Sequence, residues 1–392
     1  MVEPAGFEPA TSSMPSRRAP NCATAPRNAN TVIAFIAPCE CERQTTPIQW
    51  DLLRNASAGD QSKIYGAMTS KISRREMSKL LLSAGTGALA VGLYTWRVEP
   101  HWLEFTYPLL PVSGLPAELE GRTLAQISDI HVGPRVDDDY IIKSFHRVRE
   151  LAPDFVAFTG DFITYRSAQQ FEQLRRVLVH MPHGRLGTVG ILGNHDYGFH
   201  WRMLDVADRV TAIARDAGIT VLRNQAITLA GLQFLGVEDL WSPLFHPADL
   251  LAQKSQDAST IVLCHNPDAA DRPIWAGYQG WILAGHTHGG QCKPPFLPPP
   301  LLPVANKRYV SGKIELSGNR NMYISRGVGH LLRVRFNARP EVAVFQLRQA
   351  ATAAQKANAV AFESERQTNT IQRSVSVPIT DQDLLRKMTM AL

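Results

Sequence analysis

Five short apolar runs punctuate the middle of the chain: TLAQIS from Thr123, DFVAFT from Asp154, TVGIL from Thr188, TIVLC from Thr260 and GWILA from Gly280. Each is brief and rich in β-branched or aliphatic residues, which is how strands buried on both faces read. Stretches of helical spacing separate the first three, at Asp139 to Leu151 and Gln169 to His180. A third follows at Met203 to Ala217, where Leu204, Ala207, Val210 and Ala214 fall near one face. Strand, helix and strand in that order predict βαβ crossovers. GITVLRNQAITLAGLQFLGVED, from Gly218, alternates like strands, with turns expected at Asn224-Gln225 and Ala230-Gly231. PHWLEFTYPLLPVSGLPAELEGRTLAQIS, from Pro100, reads as a leading strand, a turn and the first core strand.

Metal-ligand side chains follow the apolar runs at once: DIH at Asp129 to His131, GD at Gly160 to Asp161, GNHD at Gly193 to Asp196, CHNPD at Cys264 to Asp268 and GHTH at Gly285 to His288. Reactive groups of open α/β sheets gather at the carboxyl ends of strands, where loops converge on one crevice. Asp129, His131, Asp161, Asn194, His265, His286 and His288 then make seven oxygen or imidazole donors, too many for one tetrahedral ion. Two divalent ions sharing a bridging carboxylate use them all, and mixed imidazole and carboxylate donors suit Mn, Fe, Zn or Co better than Ca or Mg. Such a pair, about 3.5 to 4 Å apart, can hold a bridging hydroxide and clamp the attacking and leaving oxygens of an in-line displacement at phosphorus. Taken singly the motifs carry little, since an Asp or Gly after a strand is ordinary turn chemistry. Their order carries the reading.

D-x-H, G-D, G-N-H-D, a lone His and G-H-x-H, in this order over residues 120 to 348, resemble the calcineurin-like metallophosphoesterases. HNPD at His265 to Asp268, HTHGGQ at His286 to Gln291, KRYVSG at Lys307 to Gly312 and SRGVG at Ser325 to Gly329 are similar to a subgroup of membrane-associated bacterial phosphodiesterases. Some members of that subgroup hydrolyse UDP-2,3-diacylglucosamine, a lipid A precursor. The resemblance implies an α/β fold, a four-layer αββα sandwich. It also implies two divalent ions, Mn, Fe or Zn, one held by Asp129, His131, Asp161 and His288 and the other by Asp161, Asn194, His265 and His286, with Asp161 as the bridge. By the same resemblance His195 is no ligand but faces the scissile phosphate, where it can stabilise charge or protonate the leaving oxygen. Asp196 is expected to orient it through a hydrogen bond.

Charge narrows the substrate. The chain has a net charge of +6, yet residues 97–348 hold 26 Lys and Arg against 24 Asp and Glu. Nucleic-acid affinity rests on clustered cations, so no nucleic-acid partner is expected, and a protein phosphatase or nuclease is the runner-up within the enzyme class. A catalytically silent scaffold is the alternative from another class, disfavoured by the intact ligand set. Of the five cysteines, Cys22, Cys39 and Cys41 precede the domain, and Cys264 and Cys292 make no disulfide framework. Cys264 ends an apolar run and reads as a small buried hydrophobe.

The flanks suggest an address. Ser73-Arg74-Arg75-Glu76-Met77-Ser78-Lys79 precedes 17 uncharged residues, Leu80 to Trp96, and resembles a twin-arginine export signal with Met77 and Ser78 replacing the usual Phe and Leu. Cleaved signal and retained anchor both remain open, with the twin-arginine translocase and a membrane surface as expected partners, and periplasm, cell envelope or the cytoplasmic face of the inner membrane as expected locations. Residues 1–67 read as a non-native or disordered extension, with Met68 the expected start, and residues 349–392 as a flexible tail. For a phosphorylated small-molecule or lipid substrate, Arg326 is a candidate phosphate contact. Phe296, Leu301 and Leu302, in the proline-rich stretch after HTHGGQ, are candidate apolar contacts.

Overall fold

A computed structural model describes residues 73–252, 258–275 and 277–351. Residues 1–67, Met68, Cys22, Cys39, Cys41 and most of the expected tail lie outside the described residues. Two sheets carry the fold. The first comprises β1 (Glu104–Thr106), β2 (Leu109–Val112), β3 (Thr123–Ile127), β4 (Phe155–Thr159), β5 (Gly187–Ile191) and β6 (Thr220–Val221), together with the last strand, β13 (Glu341–Gln349). Its order is β1-β13-β3-β4-β5-β6, with β2 also pairing on β13. The second comprises β7 (Gln225–Leu229), β8 (Leu232–Gly236), β9 (Ser259–Leu263), β10 (Gly280–Ala284), β11 (Gly312–Glu315) and β12 (Arg320–Ile324), in the order β11-β12-β10-β9-β8-β7.

Strands β3, β4 and β5 run parallel, as do β8, β9 and β10. The crossovers within the first sheet are α2 (Asp138–Glu150), α3 (Gln169–Leu178) and α4 (Leu204–Asp216); α1 (Arg74–Leu93) precedes them and α5 (Ala248–Ala252) follows. In α2 the buried residues Ile141, Phe145 and Val148 recur at helical spacing, and Asp137 caps its start by accepting from Asp139 N–H at 3.0 Å. Alternate strand residues divide between layers, as the period of a pleated strand requires. Phe155 and Ala157 face the second sheet, whereas Val156 and Phe158 face the helices. The inter-sheet core also takes Phe234, Leu263, Leu283 and Phe345, all fully buried. This is the expected αββα layering, with one qualification: among the described residues the outer layer on the second sheet is the short α5 and irregular segments around Trp275 and Tyr309.

The five predicted strands and three predicted helices are present within a residue or two. Strands β11, β12 and β13 are additions to the sequence reading, and β13 sits inside the first sheet, antiparallel to β3. Helix α1 opens with a capping box, Ser73 and Glu76 bonding each other's backbone N–H. It runs on through tighter and wider turns to His101, 28 residues in all; an 18-residue window within it has a mean hydropathy of 1.2, apolar and long enough to cross a membrane, and none of α1 is buried.

Ala230 and Gly231 form the two-residue turn between β7 and β8, with φ of 48° and 86°. Two positive φ values mark the turn whose twist matches a hairpin, and Asn-Gly is its favoured pair. Ala230→Asn is therefore expected to stabilise the fold by about 1 kcal/mol. Chemical denaturation checks this, and a lowered midpoint would count against the turn.

Candidate metal centre

Every motif residue sits just beyond the carboxyl end of a parallel strand. Asp129 and His131 follow β3, Asp161 follows β4, Asn194 and His195 follow β5, His265 follows β9, and His286 and His288 follow β10. The crevice is thus built where the ends of both sheets meet. Backbone bonds tie the loops together: Asp129 N–H donates to Gly160 O at 2.9 Å, His131 N–H to Asp161 O at 3.0 Å, and Gly285 N–H to His265 O at 3.0 Å. Gly160, at φ 97°, lies so close that a Cβ would stand 2.6 Å from Gly193 N and 2.7 Å from the His265 ring. No side chain fits there.

Asp129, His131, Asp161, His286 and His288 all adopt left-handed backbone, with φ between 49° and 72°. Such conformations cost about 1 to 3 kcal/mol each outside glycine and persist only where the surroundings over-determine them. The strain aims the side chains inward. Asp129, His131 and His288 form one buried cluster and Asp161, His265 and His286 a second, with the ligand atoms of each within 4.8 Å of one another. His131 Nε2 stands 3.0 Å from His288 Nε2 and 3.5 Å from Asp161 Oδ2, while His265 Nε2 stands 3.2 Å from the same oxygen. Asp161 therefore lies between the clusters, and Asn194 Oδ1 joins the second at 2.9 Å from His286 Nδ1.

The outer ring atoms are mostly spoken for. His131 Nδ1 meets Thr164 Oγ1 at 3.0 Å, His265 Nδ1–H donates to Thr159 O at 2.7 Å, and His286 Nε2–H donates to Pro303 O at 2.9 Å. Fixing the His286 proton on Nε2 leaves Nδ1 with a lone pair facing another acceptor, Asn194 Oδ1. Asp161 Oδ2 and His265 Nε2 are buried, and although 3.2 Å apart neither makes a well-aligned hydrogen bond. Lone pairs converging in a buried pocket, three of the four imidazoles held from behind, are the arrangement a cation stabilises. The residues fit two divalent ions.

Electrostatics keep ligating lone pairs on three of the four imidazoles. Burial lowers His131 and His288 well below the ordinary imidazole range and His286 to about 3, so all three keep ligating lone pairs. Burial alone would raise Asp161, yet His265, His195 and His131 pull it well below the carboxylate range. Asp129 is raised by burial to about 6, and His265, though opposed by burial, is held well above its usual value by Asp161.

His195 belongs to neither cluster. Its ring packs edge-on against His131 with centroids 5.0 Å apart, and its N–H donates to Asp161 Oδ1 at 2.8 Å. Asp196 has a different task from the one expected: its oxygens accept from Ile163 N–H at 3.1 Å and Gly193 N–H at 2.9 Å, so it braces the loop rather than the His195 ring. Arg326 is also diverted from phosphate, because Glu104 at 2.8 Å and Glu341 at 3.2 Å hold its guanidinium. Leu301 and Leu302 line a cavity with His288, whereas Phe296 on the same loop is outside that lining and fully exposed. Cys264 is buried with its thiol pushed up by burial, as expected of a hydrophobe rather than a ligand.

Three contributors escaped the sequence reading. Asp239 is fully buried with Oδ2 unpartnered and is raised by burial to about 6, opposed by nearby His265. It follows β8 just as the other motifs follow their strands, and that signal was available. Trp241 packs edge-on against His286 at 4.7 Å. Arg335 is buried beside His288 and donates to the carbonyls of Gly329 and Ala338 at 2.6 Å and Arg326 at 2.8 Å.

Residues 122–290 match the calcineurin-like phosphoesterase family. An uncharacterized metallophosphoesterase, YkuE of Bacillus subtilis, is 31% identical over 292 residues, spanning 71% of this chain and 98% of the relative. The chain belongs to the calcineurin-like phosphoesterase family. It is accordingly a hydrolase, and the family's use of divalent metals agrees with the two clusters. Phosphodiesterase YaeI of Escherichia coli is 31% identical over 285 residues, covering 70% of this chain and 99% of YaeI. The UDP-2,3-diacylglucosamine pyrophosphatase LpxG of Chlamydia trachomatis is 26% identical over 317 residues, covering 67% and 95%.

Ion binding must displace the His265 proton near neutrality and, below about pH 6, the Asp129 proton as well. Affinity for Mn or Zn is thus expected to rise with pH, about tenfold per unit near neutrality and more steeply below pH 6. Chelator competition from pH 5 to 8 measures it; a flat profile would contradict the assignment.

Proposed function

We propose that this phosphoesterase hydrolyses a phosphodiester or pyrophosphate bond in a lipid-linked or nucleotide-linked substrate at a membrane surface, UDP-2,3-diacylglucosamine being one compound of that class. Asp129, His131, Asp161 and His288 hold one divalent ion, Mn, Fe or Zn, and Asp161, Asn194, His265 and His286 hold the other. The observation that carries this reading is the unpartnered Asp161 Oδ2, buried between the two clusters within 3.5 Å of His131 Nε2 and His265 Nε2. The similarity to LpxG and YaeI supports the substrate class, and the exposed apolar helix supports the membrane. Export by the twin-arginine translocase accounts for the Ser73 to Lys79 motif.

Bound there, two divalent ions supply a nucleophile at neutral pH and offset charge gathering on the phosphoryl oxygens. The chain's own residues do the rest. Thr164, Thr159 and Pro303 hold the imidazole planes from behind, so the donors need no reorganisation during reaction. Asp161 Oδ1 takes the His195 backbone N–H, which fixes the His195 ring at the mouth of the site, partly exposed. Burial lowers the His195 pKa, so at neutral pH it presents an N–H to a phosphoryl or leaving oxygen without adding a second full charge.

Asp161→Asn removes the shared carboxylate and is expected to lose both ions and all turnover; two ions per chain by elemental analysis, with normal hydrolysis of bis(4-nitrophenyl) phosphate, would overturn the assignment. His195→Ala is expected to keep both ions and lose about two to four orders of magnitude in kcat. Loss of ions in that variant would make His195 a ligand.

A further inference from the structure

A cavity of about 430 Å³ opens beside His288, between the segment Pro300 to Pro303 and the segment Leu331 to Val334. We propose that it is a subsite for one hydrocarbon chain of a membrane lipid phosphoester whose phosphorus sits at the metal centre. This rests on the phosphoesterase reading above.

The lining dictates the occupant. Leu301, Leu302, Leu331, Leu332 and Val334 supply carbon, and the polar side chain of Gln291 is fully used. Its amide donates to Leu332 O at 2.8 Å and Val334 O at 2.9 Å, and its carbonyl oxygen accepts from Leu331 N–H at 3.1 Å. Burial pushes the Cys292 thiol up, so it stays uncharged. A polar ligand would lose water and find no partner, whereas a hydrocarbon gains from burial. The volume falls within the range of ligand sites.

Position points to the bilayer as the source. Val334 precedes Arg335, whose backbone N–H donates to Thr95 O at 3.0 Å, and Ala338 N–H donates to the buried Glu99 carboxylate at 2.7 Å. Thr95 and Glu99 lie at the end of the apolar helix, so one wall of the cavity is fastened to that end. Trp96 and Trp102 are exposed there, each with an arginine stacked on it at 4.2 Å, Arg97 on Trp96 and Arg339 on Trp102. Exposed tryptophan with arginine marks the level where a helix leaves a membrane. Leu301, 72% exposed, and Leu332, 53% exposed, rim the cavity with apolar surface that lipid would cover.

The test uses the full chain in detergent micelles, with methyl, butyl and octyl 4-nitrophenyl phosphates and a photoreactive probe, octylphosphonate bearing a terminal diazirine. Each methylene that is fully buried adds about fourfold, so kcat/KM for the octyl ester is expected to exceed that for the methyl ester at least tenfold. Val334→Trp, which fills the cavity, is expected to bring the two within twofold, and the probe is expected to label residues 300–303 and 331–334. No chain-length preference in the native chain, preference surviving Val334→Trp, or labelling elsewhere on the chain each overturns the subsite. If Val334→Trp does not fold, Leu301→Ser with Leu332→Ser, both on the exposed rim, gives the same comparison. Failure to hydrolyse any ester, the methyl ester included, would strike the phosphoesterase reading instead, and the labelling pattern then decides the subsite alone.

Discussion

Six ionisable side chains, two carboxylates and four imidazoles, are packed with an amide oxygen into a buried space, and this crowding sets the terms for the rest of the molecule. Ring nitrogens and oxygens approach to 2.9 to 3.5 Å. Uncompensated charge in such a place is costly. Burial lowers His131, His286 and His288, while the mutual attraction of Asp161 and His265 lowers the one and raises the other. That arrangement leaves Asp161 Oδ2 without a well-aligned hydrogen bond. Two dications would relieve it and so link folding energy to metal affinity.

Holding the donors against their mutual repulsion requires rigid supports, and the two sheets provide them. Phe155 on β4 and Phe234 on β8 meet across the sheet interface at 5.7 Å, and Phe345 on β13 packs edge-on against Tyr323 on β12 at 4.9 Å. These contacts fix one sheet against the other, so strand ends from both converge, with only short 3-10 turns at Asn194–Tyr197 and His288–Gly290 entering the crevice. Gln126 helps near the rim, its amide bridging Thr159 Oγ1 at 3.0 Å and Ala284 O at 2.9 Å, one partner from each sheet. Left-handed backbone at five donor positions is sustained by this frame, not by local preference.

What could be read from the chain follows the same division. Strands β3, β4, β5, β9 and β10 were legible because each is a continuous apolar run ending at a metal-binding residue type. Strand β13 reads EVAVFQLRQ, equally apolar, yet no motif follows it, and its place inside the first sheet depends on pairing with β3 more than 200 residues earlier. The fate of Arg326 was hidden for a related reason. SRGVG beside a catalytic loop suggests a free cation, and only the fold brings Glu104, 222 positions away, against its guanidinium. Asp196 was misjudged at short range: it lies next to His195 in sequence, but the tight turn after Gly193 directs its carboxylate to Gly193 and Ile163 backbone instead.

Arg335 joins the metal centre to the apolar helix. Its guanidinium is fully buried, and burial lowers its pKa to about 10, so it remains charged at neutral pH. Carbonyls from the SRGVG loop and from Ala338 surround it, and the same loop returns to Asp129, where Val328 N–H meets Ser128 O at 2.9 Å and Gly329 N–H meets Asp129 O at 2.7 Å. Because the backbone of Arg335 also holds Thr95, a displacement of the helix end cannot be absorbed by a loose linker. The carbonyl cage and the loop beside Asp129 are bonded, through Arg335, to that helix end. A charge caged by carbonyls is held directionally, so the residue that fastens the helix end also stands at a fixed place beside His288.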